Sequence, residues 1–209
     1  MRIASRIFAV AAVVGATTSC GSVVRSSRAP VILVIDSLAA IRGAATPGQP
    51  VSNLVSDVYT IVTTGGTCTT SAPCPTIFGD SGQAVVHIVL KDIGLPGTTP
   101  AASTNNQVTI TRVHVSYRRT DGRNQEGVDV PYGFDSASTA TVTGSTTVTM
   151  GFPLVRSQAK EEAPLIELRD NGLEISAIAD VTFYGQDVVG NAISVTGSIS
   201  VDFANFGDF

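Results

Sequence analysis

Apolar and polar residues alternate along the last part of the chain, and this alternation is the clearest structural signal in it. Odd positions over 173–183 and 193–203 are apolar or glycine, whereas most even positions are polar. A period of two is typical of strands with one buried face. If the two strands pair symmetrically about the turn at 187–191, Val181 lies opposite Gly197. Large and small side chains then face each other, as a core of constant volume requires.

Further strand signals recur from residue 31 onward, separated by clusters of Gly, Pro, Asn and Asp. The pattern predicts seven strands, at residues 31–36, 54–63, 83–91, 107–119, 140–150, 173–184 and 192–203. Two short stretches, 37–42 and 163–169, favour helical turns. Many short strands with turn residues between them predict an all-β sandwich or barrel.

Two of these strands depart from simple alternation. In strand 107–119 the apolar positions change face between Ile110 and Val113, which predicts a β-bulge near Thr111. In strand 83–91 both faces are apolar, which is typical of a central strand that is covered on both sides.

The turn between the last two strands reads Asp187-Val188-Val189-Gly190-Asn191. It resembles the D-x-x-G-N hairpin near the end of many bacterial immunoglobulin-like and fibronectin type III-like modules. The resemblance implies one immunoglobulin-like β-sandwich of about seven strands over residues 30–209. It implies no activity, since a fold of this kind carries many functions.

Residues 1–19 have the order of a secretory signal peptide. Arg2 and Arg6 precede an apolar run at 7–16, and small residues then lead to Cys20. Ten apolar residues are too few to span a bilayer core of about 30 Å. The segment resembles a bacterial lipoprotein signal, which implies that Cys20 carries acyl chains and holds the protein to the cell membrane or outer membrane. Residues 20–29 are then a flexible tether. An ordinary signal peptide and a soluble secreted product are the alternative.

The composition excludes several classes of protein. With 43% hydrophobic and 14% charged residues, the chain is too apolar for an intrinsically disordered protein. The net charge is −4, and Arg2 and Arg6 of the signal supply two of the 13 positive charges. No basic run remains to neutralise phosphates, so nucleic-acid binding is not expected.

The two other cysteines, Cys68 and Cys74, are predicted to form a disulfide. An even pair remains once Cys20 is acylated, and disulfides persist in an oxidising compartment. A zinc site would need two more cysteine or histidine ligands, and none lies close in sequence. A redox pair is disfavoured because the spacing is not C-x-x-C.

One motif suggests catalysis. The segment Gly79-Asp80-Ser81-Gly82 resembles the nucleophile segment of chymotrypsin-like serine proteases. In that family the catalytic histidine precedes the serine, whereas His87 and His114 both follow Ser81. A serine without a base is not activated, so we expect no enzyme activity and no cofactor. A hydrolase is the third and least favoured function.

The polar loop at 119–135 is the candidate ligand site. Asp121, Glu126 and Asp129 supply carboxylates, and Tyr132 supplies an aromatic ring that a glycan could contact. Calcium sites use such oxygen ligands, although Arg123 stands where a calcium loop prefers Asp or Asn. The leading expectation is a lipid-anchored, non-catalytic envelope or cell-surface protein that acts as a structural or interaction module. A domain that binds glycan or calcium through this loop is the alternative.

Overall fold

The computed structural model of the protein describes residues 28–44, 46, 48–92, 103–144 and 146–207. The predicted signal peptide, Cys20 and residues 20–27 of the tether lie outside these described residues, so the predictions about them are not addressed by the fold.

The described residues form an all-β sandwich, as the sequence predicts. A three-stranded sheet has the order β1-β5-β8, a five-stranded sheet has the order β2-β10-β9-β6-β7, and β3 pairs with β4 in a small ribbon. Strands β2 and β10 are parallel, and the other pairs are antiparallel. The strands are β1 (Val31–Ile41), β2 (Asn53–Asp57), β3 (Thr60–Val62), β4 (Cys74–Thr76), β5 (Asp80–Leu90), β6 (Val108–Arg118), β7 (Phe134–Val142), β8 (Val148–Val155), β9 (Ile175–Asp187) and β10 (Ala192–Ala204).

The core lies between the two large sheets and is filled by alternate side chains of each. Phe183 of β9 is fully buried, and the ring of Phe152 from β8 meets it edge to face, with the ring centroids 5.3 Å apart. This contact joins the five-stranded sheet to the three-stranded sheet. Burying a side chain of this size stabilises the fold by about 1.5–3 kcal/mol.

The predicted register of the C-terminal hairpin is confirmed. Val181 pairs with Gly197 in β10, as the symmetric turn requires. The turn is fixed by Asp187, whose carboxylate accepts hydrogen bonds from the backbone N–H groups of Val189 and Asn191. Gly190 has φ +84°, a left-handed conformation that glycine adopts without strain.

The predicted bulge in the fourth predicted strand is also confirmed. The register of β6 shifts between Ile110 and Arg112 against both β7 and β9. One extra residue changes the face, and Ile110 and Val113 therefore both reach the core, where each is fully buried.

Three predictions about the elements were wrong. Residues 37–42 are not helical but extend β1 to Ile41, because Leu38 and Ala40 pair with β5 and pack against the core. Predicted strand 140–150 crosses a turn at Gly144, which has φ +51°, so it contains the end of β7 and the start of β8. Predicted strand 54–63 is divided into β2 and β3. The described residues thus form ten strands instead of about seven.

Strand β5 is the central strand of its sheet, as its two apolar faces predict. However, no described part of the chain covers its outer face. On the outer face Val89 lies opposite Ile32, and the two side chains are 42% and 48% exposed within the described part of the chain. Between β8 and β9 the chain makes two 3₁₀ turns, Gln158–Glu161 and Leu165–Leu168. The second confirms the short helical turn predicted within 163–169.

Candidate functional site

Cys68 and Cys74 are joined in a disulfide, as the sequence predicts. The bond closes the loop between β3 and β4, and their Cα atoms are 5.3 Å apart. Closing so short a loop stabilises a fold by about 2.4 kcal/mol in the chain-entropy treatment. The bond therefore fixes the ribbon formed by β3 and β4.

The outer face of the five-stranded sheet is mostly polar over four of its strands, and we call this region the polar face. Alternation places hydrophilic side chains of four adjacent strands there in register. They are Asp135 of β7, Arg112, His114, Ser116 and Arg118 of β6, Asp180, Thr182 and Tyr184 of β9, and Thr196 and Ser198 of β10. The polar side of strand 107–119, which the sequence assigns to His114 and its neighbours, is thus part of a larger surface.

Cross-strand contacts hold these side chains in place. Arg118 Nε donates to Asp180 Oδ2 over 2.6 Å, and Ser198 Oγ donates to the other carboxylate oxygen over 2.5 Å. Although burial raises the pKa of Asp180, these two hydrogen bonds and the positive charge of Arg118 together lower it by more, so the net shift is downward. Asp180 is therefore an ionised acceptor whose position is fixed from two strands.

A second group of contacts lies nearer the β7 edge. Arg112 Nη1 and His114 Nδ1 both contact Asp135 Oδ1, at 2.8 Å and 3.2 Å. The guanidinium group of Arg112 also lies 3.9 Å from the centre of the Tyr184 ring. Since Arg112 is 48% exposed, much of this group faces solvent. The arrangement offers cationic, hydroxyl and aromatic groups to a polar ligand on a rigid sheet.

In the loop at 119–135, the carboxylates of Asp121, Glu126 and Asp129 each accept hydrogen bonds from different groups of the loop. Asp121 accepts hydrogen bonds from Arg119 and Arg123, which hold the pKa of its carboxyl well below the usual range. Glu126 Oε1 accepts the N–H of Gly133 over 3.1 Å. Asp129 Oδ2 accepts the N–H of Gln125, also over 3.1 Å.

Tyr132 lies in the same loop and is 50% exposed. A Cβ atom on Gly127, which has φ +74°, would lie 2.3 Å from the Tyr132 hydroxyl oxygen, so the ring packs directly on this glycine. Within the described ranges no group of three or more His, Cys, Asp or Glu side chains is placed to hold a metal ion. Binding of calcium or glycan by this loop stays a prediction.

The structure separates the residues of the protease-like segment. Ser81 and His87 share the outer face of β5, but six residues of strand separate them by about 20 Å. His87 Nδ1 pairs instead with Asp36 Oδ1 at 2.8 Å, and His114 lies on the other sheet. Ser81 therefore has neither histidine within reach of its hydroxyl proton.

A buried ionic cluster that the sequence pattern does not predict closes one end of the sandwich. Lys160 Nζ lies 2.8 Å from Asp80 Oδ2, and the two side chains are 1% and 0% exposed. Lys160 also donates to the backbone carbonyl of Asp57 over 2.8 Å. Burial lowers the pKa of Lys160, although Asp80 opposes that shift.

The cluster draws residues from four parts of the chain. Asp57 is the last residue of β2. Its carboxylate accepts a hydrogen bond of 2.8 Å from Arg42, the residue that follows β1. Asp80 begins β5, and Lys160 lies in the turn after β8. Lysine occurs only at positions 91 and 160. Two features of the sequence could have indicated the cluster. They are the scarcity of lysine and the apolar residues Ala84 and Val86, which share the face of Asp80 in β5.

Comparison with known proteins adds no identification, because neither a protein-family model nor a curated protein matches the chain. In the part of the chain that the structure describes, no helix has the length and apolar character needed to cross a membrane.

Proposed function

We propose that the protein is a lipid-anchored, non-catalytic module of the cell envelope that presents an immunoglobulin-like sandwich and binds a partner through the polar face. The observation that carries the proposal is the polar face itself. Its side chains are fixed by contacts such as Arg118 with Asp180, yet Arg112 and Asp135 remain about half exposed. Charged and polar groups held in register favour specific recognition more than raw affinity.

Two further features support display outside the cytoplasm. The Cys68–Cys74 disulfide is of the kind that persists in an oxidising compartment. The leader ends at Cys20 with a polar tether after it, and acylation there would account for the one cysteine that is not paired with Cys68 or Cys74. More than one acyl chain on that residue would give stable anchoring.

The anchor is tested by fractionation of cells that express the full chain. We expect wild-type protein in the membrane fraction, released by detergent but not by high salt, because acyl chains and not charges would hold it. Cys20→Ala should leave uncleaved precursor or soluble protein. Wild-type protein free in the medium with an unmodified Cys20, shown by intact mass, would contradict the anchor.

The polar face is tested with a photoreactive amino acid placed at Thr196, which is exposed on β10 at one edge of that face. Thr149, which is also exposed but lies on the outer face of β8, is the matched control position. In intact cells we expect a discrete crosslinked adduct from position 196 and none from 149, and Arg118→Ala should remove it. Equal crosslinking from both positions, or none from position 196, would refute binding by this face.

A further inference from the structure

Lys160 and Asp80 form a pair that is almost completely removed from solvent. The ammonium nitrogen lies 2.8 Å from Asp80 Oδ2, and neither side chain is more than 1% exposed. Burial removes most of the hydration of the Lys160 ammonium group, which favours the neutral, nucleophilic amine. The lowered pKa of Lys160 agrees with this direction.

The two oxygens of Asp80 have different surroundings. Oδ1 accepts the backbone N–H of Gly43 over 2.7 Å, whereas Oδ2 accepts the hydroxyl of Ser56 over 2.6 Å and contacts Lys160. The donor at Oδ1 is placed by close packing. A Cβ atom on Gly43 would lie 2.2 Å from the carbonyl oxygen of Gly79, so only glycine fits there.

The contacts of Asp80 meet the requirements of acyl transfer. A backbone N–H at Oδ1 can stabilise negative charge on the oxygen that stays, as an oxyanion hole does. The proton donors lie at Oδ2, the oxygen that would leave. An amine held against a carboxyl group in a fixed, dry site also has a very high effective concentration.

We propose that Lys160 and Asp80 become joined by an intramolecular amide bond in the folded protein. After proton transfer to Oδ2, the Nζ lone pair adds to Cγ of Asp80 and negative charge develops on Oδ1. A second proton passes from Nζ to Oδ2, the bond between Cγ and Oδ2 breaks, and one water leaves. The ammonium and carboxylate thus yield a neutral amide and water, and no oxidant or cofactor is consumed.

Ser56 is the residue that assists the step. Its hydroxyl donates to Oδ2 and would stabilise that oxygen as it leaves, while keeping its own proton. The resulting bond would link the turn after β8 covalently to the start of β5. It would thereby stabilise the end of the sandwich where the carbonyl of Asp57, the last residue of β2, accepts a hydrogen bond from Lys160.

The test is mass spectrometry of the purified full-length protein. We expect the intact mass to be lower by one water than the mass that the sequence, its processing and its disulfide predict. Tryptic digestion after reduction should give one branched peptide that contains both Asp80 and Lys160, with no cleavage at Lys160. The wild-type protein alone decides the matter, so the test does not depend on a variant that folds.

Variants identify the atoms. Lys160→Met should restore the missing water and linear peptides, whereas the control Lys91→Met, at an exposed position, should keep the branched peptide. Ser56→Ala should lower the joined fraction at early times after synthesis, before wild-type protein has fully reacted. Linear Asp80 and Lys160 peptides from folded wild-type protein, with no mass deficit, would overturn the proposal and leave a buried ion pair.

Discussion

Replacing Lys160 with methionine is expected to lower the free energy of unfolding by at least about 3 kcal/mol, because removing one partner of a buried ion pair costs about 3–5 kcal/mol and any amide bond to Asp80 is lost as well. The methionine side chain fills a similar volume but carries no charge. Asp80 would then stay buried without its cation, with only the hydroxyl of Ser56 and the N–H of Gly43 as donors. Urea denaturation of the purified protein measures the loss.

A second substitution separates charge from packing. Lys160→Met combined with Asp80→Asn removes both charges and keeps an acceptor for Ser56 and Gly43. Because replacing both members of a buried pair often costs little, the double variant should be more stable than Lys160→Met alone. The surface control Lys91→Met should change stability by no more than about 0.5 kcal/mol. A Lys160→Met variant as stable as that control would show that the pair contributes nothing.

The hairpin and the bulge could be predicted from the sequence because both depend on local alternation. The period of two in β9 and β10 assigns one face to the core, and the turn geometry of Asp187 fixes the register. The phase change between Ile110 and Val113 likewise predicts the bulge without knowledge of the partner strands. The polar side of β6 follows from the same alternation.

The buried ionic cluster could not be predicted in this way. Its contacts join residues far apart in the chain, such as Lys160 and Asp57, which are 103 residues apart. The alternation of β5 places Asp80 on the same face as Ala84 and Val86, but it does not identify the partner of the carboxylate, and the motif at Asp80 suggested a different chemistry. The extent of the polar face was missed for a related reason, since it depends on the order in which β7, β6, β9 and β10 pair.

The helical prediction for residues 37–42 failed through tertiary packing. The stretch has residues that a helix accepts, but pairing with β5 provides backbone hydrogen bonds and buries Ala40 completely. Local preference amounts to a few tenths of a kcal/mol per residue, and burial against a sheet outweighs it.

Replacing Gly185 of β9 with alanine is expected to destabilise the fold by about 3 kcal/mol. It pairs with Ile110 at the bulge, where β6 approaches closely. A Cβ atom on Gly185 would lie 2.5 Å from the carbonyl oxygen of Thr109 and 3.0 Å from Ile110 Cα. Both contacts are with backbone, which cannot rotate away as a side chain does, so β6 and β9 would have to separate.

The control for Gly185→Ala is the same change at Gly151 in β8. There the nearest atom to a new Cβ is the carbonyl oxygen of Gly82, at 3.9 Å, which is ordinary contact. Gly151→Ala should therefore be neutral or should stabilise the protein by about 0.4–1 kcal/mol, because alanine restricts the unfolded chain. Thermal and urea unfolding of both variants measure the difference. Equal stability of the two would mean that the bulge in β6 can shift to admit a side chain, and that the close approach at Gly185 is not required by the fold.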